Sequence, residues 1–331
     1  MTKLLIRLDA GPVGLGHAVR VRGVVDLIAP RPDLVLAGAG DGLEDWFPGV
    51  RRVPVGGEAD FAALCEAERP DAVLIDLPAY PAGLFATLRR QSIPILCIDD
   101  VGGEVDADLI VNGTVLDQYH HYPPVPPGGV RLIGGAYTLV RPAFGASPWT
   151  APSRPAVAIV IGSGDRARDW AFRLLSPELD RRDWGSVTMV VGAAFRDRER
   201  LAEAVREAGV VLRHGLAAPE LAGLLASASV ALITGGMIVY EALAVGVPMV
   251  VFPQIENLIP EAAFLAAGGM IEDLGFGGGM KLDMVQAAIA GLTGDPARQQ
   301  DMSRRQRSLI DGKGMERVAA AISHFLRERI R

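Results

Sequence analysis

The chain has 331 residues, of which 50% are hydrophobic and 22% charged, so it can bury a large core and is long enough for two domains. Its net charge of -6 argues against a nucleic-acid partner, because neutralising phosphates needs a basic stripe. The chain has only two cysteines, so no disulfides are expected, and its N-terminus is unlike a signal peptide. No apolar run approaches the roughly 20 residues of a membrane helix. The sequence therefore predicts a cytoplasmic protein without a membrane span.

Short apolar runs alternate with helical stretches over residues 1–141. Runs of this length are typical of buried parallel strands. The predicted strands are Leu4–Leu8, Leu34–Ala37, Ala72–Ile75, Ile93–Ile98 and Leu109–Val111. The intervening helices are predicted at Ala18–Ile28, Ala59–Glu68 and Ala82–Arg90. The alternation predicts right-handed βαβ units and a doubly wound, Rossmann-like α/β domain.

Proline interrupts this pattern between residues 118 and 156, where eight prolines occur. Proline at this density breaks helices and internal strands alike. We therefore place a Pro-rich linker at residues 142–156. The segment 118–127, rich in Tyr, His and Pro, receives no assignment.

The alternation restarts at residue 157 and predicts a second Rossmann-like domain over residues 157–314. Its predicted strands are Val157–Ile161, Val187–Val191, Val210–Leu212, Val230–Ile233 and Pro248–Phe252. A final helix within residues 315–331 is expected to pack back on the first domain. Two such halves joined by a linker suggest a bilobal enzyme with its ligand in the cleft. Open α/β sheets bind ligands beyond the carboxyl ends of their strands, so we look for chemistry there.

The loop after the first strand presents His17. Gly14 and Gly16 permit backbone geometries that a Cβ would hinder, and His17 falls at the start of the next helix. Imidazole can accept a proton at neutral pH, and a helix N-terminus disfavours its cation. A dinucleotide fingerprint is the alternative, but the third glycine is missing. A structural histidine is the other alternative.

Three loops of the second half also follow predicted strands. Gly162-Ser163-Gly164-Asp165 is either an anion-binding loop or a plain turn. Thr234-Gly235-Gly236 exposes amides at a helix N-terminus, where a diphosphate would gain from the helix dipole. Glu241, farther along that helix, either accepts from ribose hydroxyls or faces solvent. Asn257 either caps its helix or contacts the substrate.

Some weaker signals remain. Asp76, Asp99 and Asp100 end apolar strands, where carboxylates are costly unless they bind or are paired. The pair His120-His121 is a poor metal site, because adjacent strand residues point to opposite faces. His214 lies where a base ring could stack, although a surface loop histidine is the simpler interpretation.

The motifs together resemble the UDP-2,4-diacetamido-2,4,6-trideoxy-β-L-altropyranose hydrolases of pseudaminic acid biosynthesis and the related spore-coat polysaccharide biosynthesis proteins. The resemblance is collinear over nearly the whole chain. The matching segments are Ile6–Asp9, Gly14–His17, Arg20, Ile98–Asp100, Asp108–Asn112, Gly134–Arg141, Gly162–Asp165, Gly235–Gly236, Glu241, Asn257, Asp311–Gly314 and Arg317.

This resemblance implies a GT-B fold, akin to the N-acetylglucosaminyltransferase that makes lipid II, with two Rossmann-like doubly wound domains facing a cleft. It implies metal-independent, inverting release of UDP from a nucleotide sugar, with His17 positioning or deprotonating the attacking water and no cofactor. The expected substrate-binding residues are Arg7, Asp9, Gly14, Gly16, Arg20, Tyr137 and Asn257. The expected nucleotide-binding residues are Gly162, Ser163, Gly164, Asp165, His214, Gly235, Gly236, Met237 and Glu241.

The chain departs from the family pattern beside the presumed diphosphate. The family usually has a small hydroxyl residue directly after the Gly-Gly pair, and often a second beside it, where this chain has Met237 and Ile238. It usually has Gln where this chain has Leu258. Two alternatives to the hydrolase therefore stay open: a glycosyltransferase that uses the same base on an acceptor hydroxyl, and a non-catalytic nucleotide-sugar binding protein.

Overall fold

The computed structural model describes residues 2–9, 16–40, 42–162, 165–193 and 195–329, with the backbone alone at 165–167. The chain divides into two compact units. Unit 1 comprises Met1–Leu139 and Lys313–Arg331, and unit 2 comprises Val140–Gly312. Among the described residues, no helix combines the length and the apolar character needed to span a membrane.

Unit 1 is built on a parallel sheet of seven strands, in the order β3-β2-β1-β4-β5-β6-β7. The strands are β1 (Lys3–Leu8), β2 (Asp33–Ala37), β3 (Arg51–Val53), β4 (Ala72–Asp76), β5 (Ile95–Ile98), β6 (Leu109–Asn112) and β7 (Val130–Ile133). The five strands predicted from apolar runs are present. Strands β3 and β7 were not predicted, since β3 has two arginines in three residues and β7 lies in the proline-rich stretch.

Helices cover both faces of this sheet, which is why its inner strands are apolar on both sides. The helices of unit 1 are α1 (Gly16–Leu27), α2 (Leu43–Trp46), α3 (Glu58–Glu68), α4 (Leu84–Arg90) and α13 (Gly314–Arg329). Leu4 and Ile6 of β1 share a buried cluster with α1 and α13. Leu5 between them faces the opposite cluster with α3 and α4.

The last helix, α13, is part of unit 1 although it comes from the far end of the chain. Its Met315 lies so close to Gly23 of α1 that an added Cβ at Gly23 would be 2.5 Å from the sulfur. The hydroxyl of Ser323 accepts a hydrogen bond from the amide of Ala29 at 3.0 Å. Close helix packing at a glycine and a hydrogen bond to the turn after α1 thus hold α13 in place.

The segment 142–156, which we predicted to be a linker, is packed onto unit 2. It begins with a short helix, α5 (Pro142–Gly145). Trp149 is 7% exposed, and its ring nitrogen donates to the carbonyl oxygen of Ala228 at 2.7 Å. Between α5 and β8 the prolines keep the segment irregular, but apolar side chains such as Trp149 are still buried.

Unit 2 repeats the same strand order with six parallel strands, β10-β9-β8-β11-β12-β13. The strands are β8 (Ala156–Ile161), β9 (Ser186–Val191), β10 (Val211–His214), β11 (Val230–Ile233), β12 (Met249–Val251) and β13 (Glu272–Asp273). The helices that follow α5 are α6 (Asp165–Arg173), α7 (Arg198–Glu207), α8 (Ala218–Ala226), α9 (Met237–Val245), α10 (Ile259–Ala267), α11 (Leu282–Thr293) and α12 (Pro296–Leu309). Each sheet therefore reverses its strand order once, where ligands bind in open α/β sheets.

Candidate functional site

His17 lies at the reversal point of the unit 1 sheet, between the carboxyl ends of β1 and β4. It is the second residue of α1, and its Nδ1 is 2.6 Å from Oδ1 of Asp76, the last residue of β4. The ring is 22% exposed, whereas the Asp76 side chain is fully buried. From sequence, Asp76 stood out only as a costly carboxylate after a strand, and its partner is His17.

Asp76 is held ionised by its neighbours. Burial raises the pKa of this carboxyl, but the guanidinium of Arg20 and the hydrogen bond from His17 outweigh that effect and hold the pKa below its ordinary value. An ionised Asp76 accepts from Nδ1–H, so the neutral ring keeps its lone pair on Nε2. The dyad therefore presents Nε2 as a proton acceptor, the arrangement that general bases use.

Arg20, which we predicted to bind the substrate, has its partners inside unit 1. It is 8% exposed, and its Nε and Nη2 donate to the two oxygens of Asp76, both at 2.6 Å. Its Nη1 donates to both oxygens of Asp100 at 2.8 Å. All three nitrogens have partners inside unit 1, and these partners include Asp76, the neighbour of His17.

Two more predicted substrate residues form a pair beside the same strand end. Arg7 is 7% exposed, and its Nη2 donates to Oδ2 of Asp9 at 2.9 Å. Burial raises the pKa of Asp9, but pairing with Arg7 and the amide of Ala39 lower it below its ordinary value. Gly16 begins α1 with open space where a Cβ would be. Gly14 lies outside the described residues.

The segment 118–127, which had no assignment from sequence, belongs to a polar network at the ends of β5 and β6. Asp99, buried at the end of β5, accepts from the hydroxyl of Tyr80 at 2.7 Å and from that of Tyr122 at 2.6 Å. Asn112 of β6 donates to the same Tyr122 oxygen at 2.6 Å. Burial, together with Asp99, raises the pKa of both tyrosines. Tyr122 thus ties the proline-rich segment to the sheet.

Tyr137 lies in a short 3-10 turn after β7. Its half-buried ring packs against the cluster formed with α1 and α13. The following hydroxyl, that of Thr138, donates to the carbonyl of Gly113 at 2.5 Å. The structure therefore gives Tyr137 a packing role, and its predicted substrate contact remains a prediction.

The reversal point of unit 2 is lined by backbone. Thr234 follows β11, and its buried hydroxyl accepts from the amide of Gly162, the residue after β8, at 3.4 Å. Gly235 and Gly236 both have positive φ, 97° and 87°, which favours glycine. These angles turn the chain into the N-terminus of α9. Ser163, Gly164 and the side chain of Asp165 lie outside the described residues.

Apolar side chains surround this glycine turn. Met237 begins α9 and is 37% exposed. Leu258 reaches Gly235 so closely that a Cβ there would meet its Cδ1 at 3.1 Å. Asn257 is exposed in the short turn Glu256–Leu258, and α10 has Leu258 at its N-cap position without a side-chain cap. The capping role we considered for Asn257 is therefore absent.

Glu241 does not face solvent, because it is buried and paired with a cation. It is 7% exposed in α9, and its two oxygens accept from Nε and Nη2 of Arg141 at 2.6 and 3.0 Å. Burial raises its pKa above the ordinary value, and Arg141 offsets only part of that effect. Sequence position alone could not reveal this pair, because the partners are 100 residues apart.

His214 ends β10, at the edge of the unit 2 sheet. Its Nε2 is buried, and it has no hydrogen-bond partner among the residues described. Burial and the nearby Arg198 lower its pKa. A neutral ring with an unused nitrogen is compatible with the predicted contact to a nucleotide base, which stays a prediction.

Comparison with solved structures identifies the class of fold. MurG of Acinetobacter baumannii is similar over 98% of this chain and 100% of its own, with a TM-score of 0.69 and 15% identity. The glycotransferase of kitacinnamycin is similar over 98% of this chain and 99% of its own, with a TM-score of 0.67 and 19% identity. UDP-GlcNAc 2-epimerase from Neisseria meningitidis, solved with bound UDP-GlcNAc, is similar over 99% of this chain and 100% of its own, with a TM-score of 0.63 and 13% identity. The chain has a GT-B-like fold, as the sequence predicted.

Comparison with curated proteins adds a relative in sequence. The chain is 23% identical to the spore coat polysaccharide biosynthesis protein SpsG of Bacillus subtilis (strain 168). The match extends over 276 residues and covers 80% of each of the two chains. No family model matches the chain.

Proposed function

We propose that the protein is a nucleotide-sugar hydrolase in which His17 is the general base. The observation that carries this proposal is the 2.6 Å contact between His17 Nδ1 and the buried carboxylate of Asp76. A fixed tautomer with Nε2 as acceptor suits removal of a proton from water. The similarity to SpsG and to a protein solved with UDP-GlcNAc supports a nucleotide sugar as the substrate class.

In the proposed reaction a water molecule attacks the anomeric carbon of the sugar. The water oxygen forms a bond to that carbon while the bond from the carbon to the diphosphate oxygen breaks, and its electron pair leaves with UDP. The proton of the water passes to Nε2 of His17, and Asp76 stabilises the resulting imidazolium. Attack opposite the leaving group inverts the anomeric configuration. The scheme uses no metal or other cofactor.

Unit 2 supplies the nucleotide site in this proposal. The amides at the Gly235–Gly236 turn and the N-terminus of α9 attract the diphosphate through hydrogen bonds and the helix dipole. Met237 and Leu258 add no hydrogen-bond donors beside the turn, so the backbone carries phosphate recognition. Gly162 and His214 are proposed to contact the nucleotide, and Asn257 the sugar.

The finer identity of the substrate comes from the family resemblance. We propose a UDP-diacetamido-trideoxy sugar, hydrolysed in a pathway to a nonulosonic acid of the pseudaminic type. Arg7 and Asp9 follow the same strand as the His17 loop, and their pair would shape the pocket for the sugar. Glu241 and Arg20 drop out of the proposed ligand contacts, because both are satisfied within their own units.

The direct test is release of UDP from a set of UDP-N-acetylated amino sugars by the purified full chain, without any acceptor. The reaction is run in water enriched in oxygen-18, and both products are weighed by mass spectrometry. We expect the label in the sugar and none in UDP, together with an inverted anomer in NMR spectra taken before mutarotation. Label in UDP would mean attack on phosphorus and would contradict the proposal.

A variant separates the base from the nucleotide site. We expect His17→Asn to lower kcat at least about 100-fold, since a general base contributes roughly 10²–10⁴, while UDP affinity measured by calorimetry stays unchanged. His121→Asn, an exposed histidine of the same unit, is the matched control and should be fully active. UDP release that requires an added acceptor would favour the glycosyltransferase, and UDP binding without turnover of any donor would favour a binding protein.

A further inference from the structure

Three charged groups from three parts of unit 1 surround the base. Asp76 ends β4, Arg20 lies one turn along α1, and Asp100 follows β5. Asp76 Oδ1 is 2.6 Å from His17 Nδ1, and Arg20 Nη2 is 3.2 Å from the same nitrogen. Asp100 reaches the opposite side of the guanidinium. His17 therefore contacts one negative and one positive group directly, and a second negative group through Arg20.

The two direct contacts act on His17 in opposite directions. A carboxylate in contact with imidazole favours its cation, whereas a guanidinium at 3.2 Å disfavours it. The Arg7–Asp9 pair near the same strand end is internally neutral. Without Arg20, Asp76 alone would favour an imidazolium, and a protonated ring cannot take a proton from water.

The guanidinium is held rigidly enough to act as a fixed charge. Its Nε and Nη2 contact Asp76, its Nη1 contacts Asp100, and the residue is buried. The Asp100 side chain is 43% exposed, so its own charge is partly screened by water. Asp100 thus offsets only part of the positive charge that faces His17.

We propose that Arg20 is a positioning residue that sets the pH at which His17 becomes protonated, and that Asp100 moderates it. This inference rests on the proposed function only in that His17 is taken as the base. Neither residue contacts the substrate in this role. Its distinctive consequence is that removing Arg20 and neutralising Asp100 shift the titration of His17 in opposite directions.

The test is an NMR titration of the five histidine rings in the substrate-free, 331-residue chain. The signal that disappears in His17→Asn identifies His17. We expect Arg20→Met to move the midpoint of its titration upward by about one pH unit or more, the size of shift that a close charge causes. Asp100→Asn should move it downward by a few tenths of a unit, since a half-exposed charge acts weakly. Arg20→Lys should shift it upward by less than Arg20→Met.

The outcomes separate this inference from the proposed function. Unchanged titration in Arg20→Met, or an upward shift in Asp100→Asn, overturns the positioning role of Arg20 even if the protein hydrolyses UDP-sugars. Opposite shifts in a protein that releases no UDP support the role and contradict only the hydrolase. If Arg20→Met fails to fold, the other two variants decide whether Arg20 has the positioning role. Arg20→Lys keeps a cation beside Asp76, and Asp100→Asn changes a side chain that is partly exposed. In the active protein, the acid limb of the pH–rate profile should move with the NMR midpoint.

Discussion

The strand order of unit 1 reverses between β1 and β4, and that of unit 2 reverses between β8 and β11. At the first reversal the chain buries charges: Asp76 has no exposed surface and Arg20 is 8% exposed. At the second it places Thr234 and two glycines with positive φ, beside Met237 and Leu258. The same strand order thus carries a cluster of charged side chains at one reversal point and a glycine turn at the other.

This difference fits two kinds of chemistry. Proton transfer needs a titratable group whose tautomer and charge are fixed by neighbours. Binding of a diphosphate needs amides at a helix N-terminus and small residues that let the anion approach. The contrast predicts that unit 1 is sensitive to side-chain charge at its reversal point, and unit 2 to backbone conformation.

The largest expected effect comes from Asp76→Asn, which breaks the charged centre of unit 1. Asparagine can hold the His17 ring in the wrong tautomer and leaves Arg20 without its main partner. We expect kcat for UDP release to fall roughly 10²–10⁴-fold. We also expect the free energy of unfolding to fall by about 3–5 kcal/mol, as when one partner of a buried ion pair is removed. An assay of UDP release gives kcat, and urea denaturation gives the free energy of unfolding.

The control for Asp76→Asn is Asp106→Asn, which removes the more exposed of the two carboxylate partners of Arg89 in the same unit. The Asp106 side chain is 52% exposed, so this change should cost at most about 1 kcal/mol and leave kcat unaltered. Full activity of Asp76→Asn would contradict the dyad and reduce Asp76 to a structural partner of Arg20.

Sequence patterns predicted the scaffold and the loop of His17 because both depend on local information. Apolar runs mark buried strands, and a histidine after a strand lies at a carboxyl end wherever the sheet is parallel. The short edge strands were not predicted, because they bury little apolar surface. Strand β13, for example, has two residues, and both are acidic. The burial of the Pro-rich segment 142–156 within unit 2 could not be predicted, because proline content carries no information on burial.

The partners of the site residues could not be predicted in the same way. Asp76 is 59 residues from His17 in sequence, and Asp100 is 80 from Arg20. A polar residue after an apolar strand was the available signal, and it marked Asp76, Asp99 and Asp100 without saying what each would bind. Pairing depends on the three-dimensional strand order, which places β4 next to β1.

A smaller effect is expected where unit 2 does bury a charge. Arg141→Met leaves Glu241 without the guanidinium that pairs with both of its oxygens. Burial already raises the pKa of Glu241, so it rises further in the variant. Below that pKa the carboxyl is protonated and needs no cation; above it, the unpaired charge destabilises the fold. We expect a loss of about 3 kcal/mol near pH 7 that shrinks as the pH falls toward about 5.

The measurement for Arg141→Met is urea unfolding of variant and parent at both pH values. Arg182→Met is the matched control. Arg182 pairs with Asp180 on the surface, with its side chain 87% exposed, so its loss should leave the free energy of unfolding nearly unchanged at either pH. An equal loss at both pH values would show that Arg141 acts by packing on Phe144, which it also contacts, and not through the charge of Glu241.

The finest test of the comparison sets Gly236→Ala against Gly16→Ala. A Cβ at either glycine meets nothing within 4 Å, so a clash cannot explain a difference between them. Gly236 has φ 87° and ψ -165°, a conformation that essentially only glycine adopts, whereas Gly16 begins a helix. Gly236→Ala should cost about 1–3 kcal/mol in unfolding free energy and weaken UDP binding. Gly16→Ala should change stability by less than about 1 kcal/mol. Equal effects in urea titration and calorimetry would mean that the turn relaxes freely, and backbone geometry would then not be what unit 2 contributes.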